Sequence, residues 1–174
     1  MDLTQYSIPI QGKKLGTHQF DFHLDKEFFE HFDSSPVSDG DIDLTLHFDK
    51  RIDLFVLTFH FEGTLHTECD RCLAGIDLPV EGNDQLIVKF SLEEQAEEAD
   101  VIYINPDAQK INVAKYIYEY VMLSMPMIKV YDCEEEEVPP CDLEMLQYLN
   151  AEAEDEQVKE NPIWDELKKL KNDN

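Results

Sequence analysis

The sequence is poor in basic residues, in cysteine and in long apolar runs. Only 14 lysines and arginines stand against 39 aspartates and glutamates, which gives a formal net charge of −25 over 174 residues. Nucleic-acid affinity comes largely from cations that neutralise phosphates, so this composition excludes strong nonspecific binding to naked RNA. Four cysteines are too few for a disulfide-stapled secreted domain. The opening residues do not have the pattern of a secretory signal, and we expect a cytoplasmic protein whose thiols stay reduced.

No stretch of the chain is apolar enough to span a bilayer, because the most apolar one, residues 116–130, is interrupted by Glu119, Pro126 and Lys129. We therefore expect no membrane partner. Hydrophobic residues still make up 43% of the chain, which is enough to bury a core in one domain of this length. The acidity either keeps the surface soluble or attracts a strongly basic partner. Ribosomal proteins are the most abundant such partners in a bacterial cytoplasm.

Alternation of apolar and polar residues predicts several strands. In the clearest one, 41–48, isoleucine, leucine and phenylalanine alternate with aspartate, threonine and histidine. The next run, 52–61, is apolar on both faces, so we expect a central strand that is covered on both sides and is ended or kinked by Gly63. Further extended pieces are predicted at 7–10, 18–22, 64–69, 76–80, 85–91 and 101–104.

Two helices are predicted before the tail. Asp25 can cap a short one, and Asn112 can cap the main one over 112–125, where apolar residues recur four apart until Pro126. The predicted fold class is therefore α+β. We expect a mainly antiparallel sheet that can curl toward a barrel, packed by this one main helix, in a single domain over residues 1–131.

Residues 132–174 form an acidic tail with 15 acids and four bases. Two short amphipathic helices are predicted in this tail, one over 143–149 and one over 163–170. The second contains the only tryptophan of the chain. Its apolar residues are candidates for partner binding: Trp164, Leu167 and Leu170.

A Cys-x-x-Cys motif near a predicted hairpin tip, Cys69 and Cys72, is typical of a zinc site. Four thiolates hold zinc tetrahedrally, and Cys133 and Cys141 complete the set if the chain after Tyr131 folds back over the hairpin. The candidate zinc ligands are thus Cys69, Cys72, Cys133 and Cys141, although 60 residues separate the two pairs. In the simpler interpretation the motif marks a turn, and the two later cysteines are free thiols in an acidic loop.

Redox chemistry is a further interpretation of the same motif. A redox dithiol needs the N-terminus of a helix to lower its thiol pKa, whereas this pair lies between two predicted strands. His47, His60 and His66 share a sheet face if the strands pair in sequence order, and can then supply a ligand or a base. Exposed strand histidines are the simpler interpretation, and no hydrolase, phosphate-loop or metalloprotease motif occurs in the sequence.

The few bases are dispersed rather than arranged in a stripe with aromatic residues between them. Two turns, at Lys13-Lys14 and Lys50-Arg51, can converge in a small positive corner. Direct contact with RNA is therefore expected to be weak. A nucleic-acid mimic needs acids on a rigid face, but most acids crowd into segments that are expected to be flexible.

Four segments in a fixed order resemble the YceD family of large ribosomal RNA subunit accumulation proteins, small bacterial cytoplasmic proteins implicated in ribosome assembly. The segments are ECDRCL at 68–73, YVMLSMP at 120–126, PPC at 139–141 and NPIWDELKKL at 161–170. The resemblance covers roughly residues 64–174. It matches Cys69 and Cys72 to the family's Cys-x-x-Cys and Cys141 to its later cysteine, while Cys133 is an addition of this chain.

The resemblance implies a role in the accumulation of large-subunit ribosomal RNA and implies no enzymatic activity. Together with the acidity, it leads us to expect a non-enzymatic ribosome biogenesis factor. Its expected partner is a basic ribosomal protein or an assembling large-subunit particle, and no small-molecule substrate is expected. The alternative is a thiol-redox or zinc-dependent enzyme that uses Cys69 and Cys72.

Overall fold

The computed structural model describes residues 3–33, 35–93, 100–131 and 140–155. Strands dominate this part of the chain, after one short 3-10 turn at Leu3–Tyr6. The elements in chain order are β1 (Ser7–Pro9), β2 (Gly16–Leu24), α1 (Lys26–Phe29), β3 (Asp39–Lys50), β4 (Leu54–Glu68), β5 (Gly75–Phe90), β6 (Val101–Ile104), β7 (Lys110–Asn112), α2 (Ala114–Ser124) and α3 (Leu143–Asp155).

Five strands form one sheet in the order β2-β3-β4-β5-β6, and β1 pairs with β7 in a separate two-stranded sheet. All pairings are antiparallel except that of β5 with β6, which is parallel. The prediction of an α+β fold with a mainly antiparallel sheet is therefore confirmed. Within the described residues the sheet is open, with β2 and β6 at its edges, so closure toward a barrel is not confirmed.

One face of the sheet carries the core. Alternate residues of β3, β4 and β5 point inward and are buried, as expected for strands with one dry and one wet face. Helix α2 packs on this core through Ile117, Tyr120 and Val121. The Tyr120 ring lies 5.2 Å from the Phe59 ring, measured between centroids.

Gly63 does not end a strand, contrary to that part of the prediction. Strand β4 runs through it without interruption for 15 residues. The reason is a close approach, because a Cβ at Gly63 would lie 2.2 Å from the carbonyl oxygen of Asp41 and 2.6 Å from Cα of Ile42. A glycine here lets β3 and β4 stay paired along their full length.

The two strands predicted at 76–80 and 85–91 are likewise one strand, β5, of 16 residues. Gly82 lies at the join, and the ring of Phe61 fills the space where a side chain at Gly82 would stand. The break in the apolar pattern therefore marks a site of packing and not a turn.

Strand β4 is central, as predicted, but it is not covered on both sides. Its outward residues are half-buried at Leu54 and Val56, and from His60 onward all of them but Thr64 are exposed. The apolar residues on the second face are confined to the start of the strand, and the rest of that face is polar.

The helices begin and end close to their predicted limits. Asp25 caps α1 by accepting a hydrogen bond from the backbone N–H of Phe28. The N-cap residue of α2 is Val113 and not the predicted Asn112, whose side chain accepts from the N–H of Ala114 at the first helical position. The helix ends at Ser124 before Pro126. No helix in the described part of the chain is long and apolar enough to cross a membrane. The first amphipathic piece of the tail forms α3, while residues 163–170 lie outside the described ranges.

Replacing Gly63 by alanine is expected to destabilise the protein by more than about 2 kcal/mol, because the new Cβ meets the β3 backbone, which has no freedom to move aside. Gly75→Ala is the matched control, since nothing lies within 4 Å of a Cβ at that position. Urea unfolding monitored by circular dichroism measures both variants. Equal midpoints for the two would contradict the close approach.

Candidate functional site

The cysteine turn, residues 69–74, connects β4 to β5. The N–H of Cys69 donates to the carbonyl of Ala74 (2.8 Å), and the N–H of Leu73 donates back to the carbonyl of Cys69 (2.9 Å). Leu73 has a φ of 60°, a conformation that costs a side-chain-bearing residue about 1 kcal/mol. Both cysteine side chains are buried. Because the motif connects two paired antiparallel strands, it lies at a hairpin tip, as predicted, and not at the start of a helix.

The sulfur of Cys69 is held among hydrogen-bond donors. Burial raises the pKa of its thiol, but backbone hydrogen bonds from Tyr131, Cys72 and Arg71 outweigh that effect. Together with a hydrogen bond from the Cys72 side chain, they lower the pKa of Cys69 to about 7. Such a sulfur is suited to binding a soft cation, whereas its burial keeps a bulky thiol substrate away.

Cys141 joins the cysteine turn in a small cluster of its own, apart from the main core. Cys69, Cys72, Ile76 and Cys141 are its buried members. The prediction that the chain after Tyr131 returns to the hairpin is therefore confirmed for Cys141. The partly buried residues packed against the cluster are Ala74, Tyr131, Met145 and Leu146.

The zinc site itself stays a prediction. Cys69 and Cys72 are free thiols, Cys141 is disulfide-bonded in this structure, and Cys133 lies outside the described residues. Among the residues that are described, no three histidine, cysteine or carboxylate side chains converge closely enough to hold a metal ion. A four-thiolate site requires Cys141 in its reduced form, and native mass spectrometry of reduced protein purified without chelator tests it directly.

Asp70 and Lys129 join the cysteine turn to the segment that follows α2. The N–H of Asp70 donates to the carbonyl of Lys129, and the N–H of Lys129 donates to Asp70 Oδ2, both at 2.7 Å. The Lys129 ammonium lies 3.4 Å from Asp70 Oδ1 and donates to the Thr67 hydroxyl at 3.4 Å. This reciprocal pairing fixes where the chain runs past the cysteine turn.

The outward face of the five-stranded sheet is acidic. Asp43 lies directly opposite Glu62, and Glu62 lies directly opposite Glu81, on three adjacent strands. We call these three the carboxylate row. Like charges in directly opposed positions destabilise a sheet, and no ion pair in the described part of the chain reaches Glu62 or Glu81. Two grooves of about 460 and 840 Å³ open on this face, and the carboxylate row lines both of them.

Histidines lie on the same outward face. The rings of His47 and His60 meet edge to face with centroids 5.4 Å apart, and His66 donates its Nδ1–H to the Asp77 carboxylate across β4 and β5. The prediction that these histidines share a sheet face is confirmed. The carboxylate row was not predicted, because its acids belong to three strands whose register the sequence does not reveal.

The two basic turns do converge. The ammonium of Lys50 donates to the carbonyl oxygens of Ile10 and Lys13, at 2.9 and 3.1 Å. This corner lies at the opposite end of β4 from the cysteine turn. The predicted partner-binding residues Trp164, Leu167 and Leu170 lie outside the described residues, and their role stays a prediction.

The model of the YceD family, described as large ribosomal RNA subunit accumulation protein YceD, matches residues 57–171. The chain belongs to the YceD family. The family's description supports a ribosome-related role. No curated protein and no solved structure matches the chain.

The family match begins within β4 and contains the cysteine turn, β5, α2 and α3. It therefore includes Glu62 and Glu81 of the carboxylate row but not Asp43. All residues of the cysteine cluster lie within the match. The part of this YceD protein that the family model describes is thus centred on the β4–β5 hairpin and the elements that follow it.

The stability contributed by His23 is expected to depend on pH. A hydrogen bond to Asp43 (2.9 Å) raises the pKa of His23, with the charges of nearby acids adding to the effect. The pKa of His23 is therefore higher in the folded protein than in the unfolded chain, where it is about 6.5. The contribution of His23 to the free energy of unfolding is fully present below the unfolded-state pKa and is lost as the pH rises through the folded-state pKa.

Urea unfolding of the wild type and His23→Gln at a series of pH values measures this effect. The difference between the two proteins should be small, since the His23 side chain is half-exposed, and it should vanish on the alkaline side. His18→Gln is the control on the same strand. A difference that grows with rising pH would contradict the assignment.

Proposed function

We propose that this YceD protein is a non-enzymatic, cytoplasmic ribosome biogenesis factor that supports the accumulation of large-subunit ribosomal RNA. It does so by binding a basic ribosomal protein or the assembling particle, and not by gripping naked RNA. The observation that carries the mechanism is the carboxylate row, Asp43, Glu62 and Glu81, on the open face of the sheet. A protein that carries −25 repels phosphate backbones.

Like charges lie directly opposite one another in the carboxylate row. Each directly opposed pair costs the sheet stability, by about 0.2–1 kcal/mol. Polar uncharged residues at Glu62 and Glu81 would keep the face soluble without this cost. A basic segment lying in the two grooves would neutralise the row, and its lysines and arginines would gain charge-assisted hydrogen bonds.

The thiol enzyme is the weaker proposal. Reactive cysteines in enzymes are at least partly accessible, whereas Cys69 and Cys72 are both buried. Their cluster instead joins Cys141 and α3 to the hairpin, which suits a structural role.

Deletion of the gene is expected to lower the ratio of large-subunit to small-subunit ribosomal RNA, most clearly in the cold, when assembly is slow. Quantification of total RNA by gel or sequencing measures the ratio. Restoration by the wild type and by a Cys69→Ser, Cys72→Ser chain that still folds would favour the non-enzymatic role. An unchanged ratio under every growth condition would remove the functional proposal.

Neutralising two members of the row is expected to weaken partner binding while slightly raising stability. The Glu62→Gln, Glu81→Gln double variant removes two facing charges, and Asp53→Asn, Asp107→Asn removes two exposed charges from turns elsewhere. Each immobilised full-length chain is incubated with protein extracted from large ribosomal subunits, and retained proteins are quantified by mass spectrometry.

Retention of basic ribosomal proteins by the first variant should fall about fivefold relative to both the wild type and the control variant. Equal retention by the two variants would show that only net charge matters, which contradicts a role for the row. Retention of no ribosomal protein by the wild type would contradict the mechanism as a whole.

A further inference from the structure

An exposed apolar strip begins in the last turn of α2 and continues past the helix, beside the cysteine turn. Met127 is fully exposed, and Ile128, Leu123 and Val130 are also exposed, all within eight residues of chain. The exposed Leu73 at the tip of the cysteine turn adds a fifth apolar side chain. We call these five residues the turn-end patch. Exposed apolar groups that lie together mark interaction sites more often than scattered ones do.

The reciprocal pairing of Asp70 with Lys129 holds the two parts of the patch together. Lys129 lies between Ile128 and Val130, and Asp70 lies three residues before Leu73. Because each residue donates its backbone N–H to the other at 2.7 Å, the segment that carries Ile128 and Val130 passes directly beside the cysteine turn. The patch is thus formed by fixed backbone.

Leu73 provides an independent reason to regard this patch as functional. Its backbone has a φ of 60°, which glycine adopts at no steric cost. A leucine here is strained. Because its side chain is 59% exposed, burial of that side chain contributes little stability to offset the strain. Backbone strain at an exposed apolar residue indicates that the residue has a role in binding.

The acidic residues near the turn-end patch determine which kind of partner can bind there. Between residues 132 and 144, directly after the strip, the sequence has seven acids and no base. Cys141 belongs to the cluster at the cysteine turn, so the acids next to it in the chain, Asp142 and Glu144, lie at this end of the molecule. A second copy of the chain would bring the same acids and the same −25 charge against the patch, and would be repelled.

We infer that the turn-end patch binds an amphipathic segment of a basic protein, with apolar side chains on Met127, Ile128 and Leu73 and lysines or arginines toward Asp142 and Glu144. This inference rests on the proposed function, because it specifies how a basic partner is bound. The patch lies wholly within the family match, residues 57–171, whereas the carboxylate row lies partly outside it. The patch supplies apolar contact area that the carboxylate row lacks.

The test uses the full-length chain and three labelled peptides of 18 residues. One is a leucine–arginine sequence with an apolar helical face, the second has the same composition in scrambled order, and the third has glutamate in place of arginine. Fluorescence anisotropy measures binding to the wild type. The amphipathic basic peptide should bind at least tenfold more tightly than either of the others.

Ile128→Asp is the decisive variant, and Ile52→Asp is its control. The two isoleucines are 71% and 80% exposed and lie at opposite ends of β4. Aspartate makes the site more acidic, so attraction by charge alone would tighten binding of a basic peptide. Loss of apolar contact should instead weaken binding at least tenfold in Ile128→Asp and leave Ile52→Asp within twofold of the wild type. Met127→Asp, at a fully exposed position, repeats the test if Ile128→Asp does not fold.

Three outcomes would overturn the inference. Equal affinity for the ordered and scrambled basic peptides would mean that only charge is recognised. A wild-type dimer in sedimentation that Ile128→Asp dissociates would mean that a second copy covers the patch. A change in the fluorescence of Trp164, the only tryptophan, caused by Ile128→Asp would mean that the chain's own tail covers it. None of these three outcomes changes the result expected for retention of ribosomal proteins by the Glu62→Gln, Glu81→Gln variant. Failure of this inference can therefore be told apart from failure of the proposed function.

Discussion

The pairing of β4 with β5 positions nearly everything else in the molecule. Fifteen residues of each strand are joined in register from Leu54 and Lys89 to Glu68 and Gly75. Since side chains alternate between faces along a strand, a shift of one residue would exchange the buried and exposed sets. The register therefore fixes both the core and the carboxylate row. The cysteine turn closes the same hairpin, so its geometry follows from this pairing as well.

Much of the fold could be predicted because alternation is a local signal. The strands at 41–48 and 101–104, the Asp25 cap and the end of α2 before Pro126 all depend on neighbouring residues. Gly63 and Gly82 were misleading because each glycine makes room for atoms distant in sequence, the β3 backbone in one case and the Phe61 ring in the other. Likewise, nothing in the sequence places Glu62 opposite both Asp43 and Glu81, because cross-strand neighbours depend on register.

The two candidate surfaces of this YceD protein differ in how the fold makes them. The carboxylate row is spread over three strands and is held on the outward face because residues next to its members along each strand are buried. The turn-end patch is held instead by two hydrogen bonds between Asp70 and Lys129, one between backbones and one from the Lys129 N–H to the Asp70 carboxylate. One surface offers charge and the other offers apolar area, and a basic amphipathic protein can use both. Both surfaces belong to the β4–β5 hairpin, which carries two members of the row near its middle and the cysteine turn at its end.

The small sheet of β1 and β7 has a consequence for the order of folding. Ser7 pairs with Asn112, which lies 105 residues later in the sequence, so β1 is synthesised well before its partner strand. At typical rates of about 5–20 residues per second, that interval is roughly 5–20 s. Ile8, which is fully buried in the finished domain, stays without its β7 partner during this time. The domain therefore closes its core last at the N-terminal end, after the β4–β5 hairpin and its cysteine turn have already emerged.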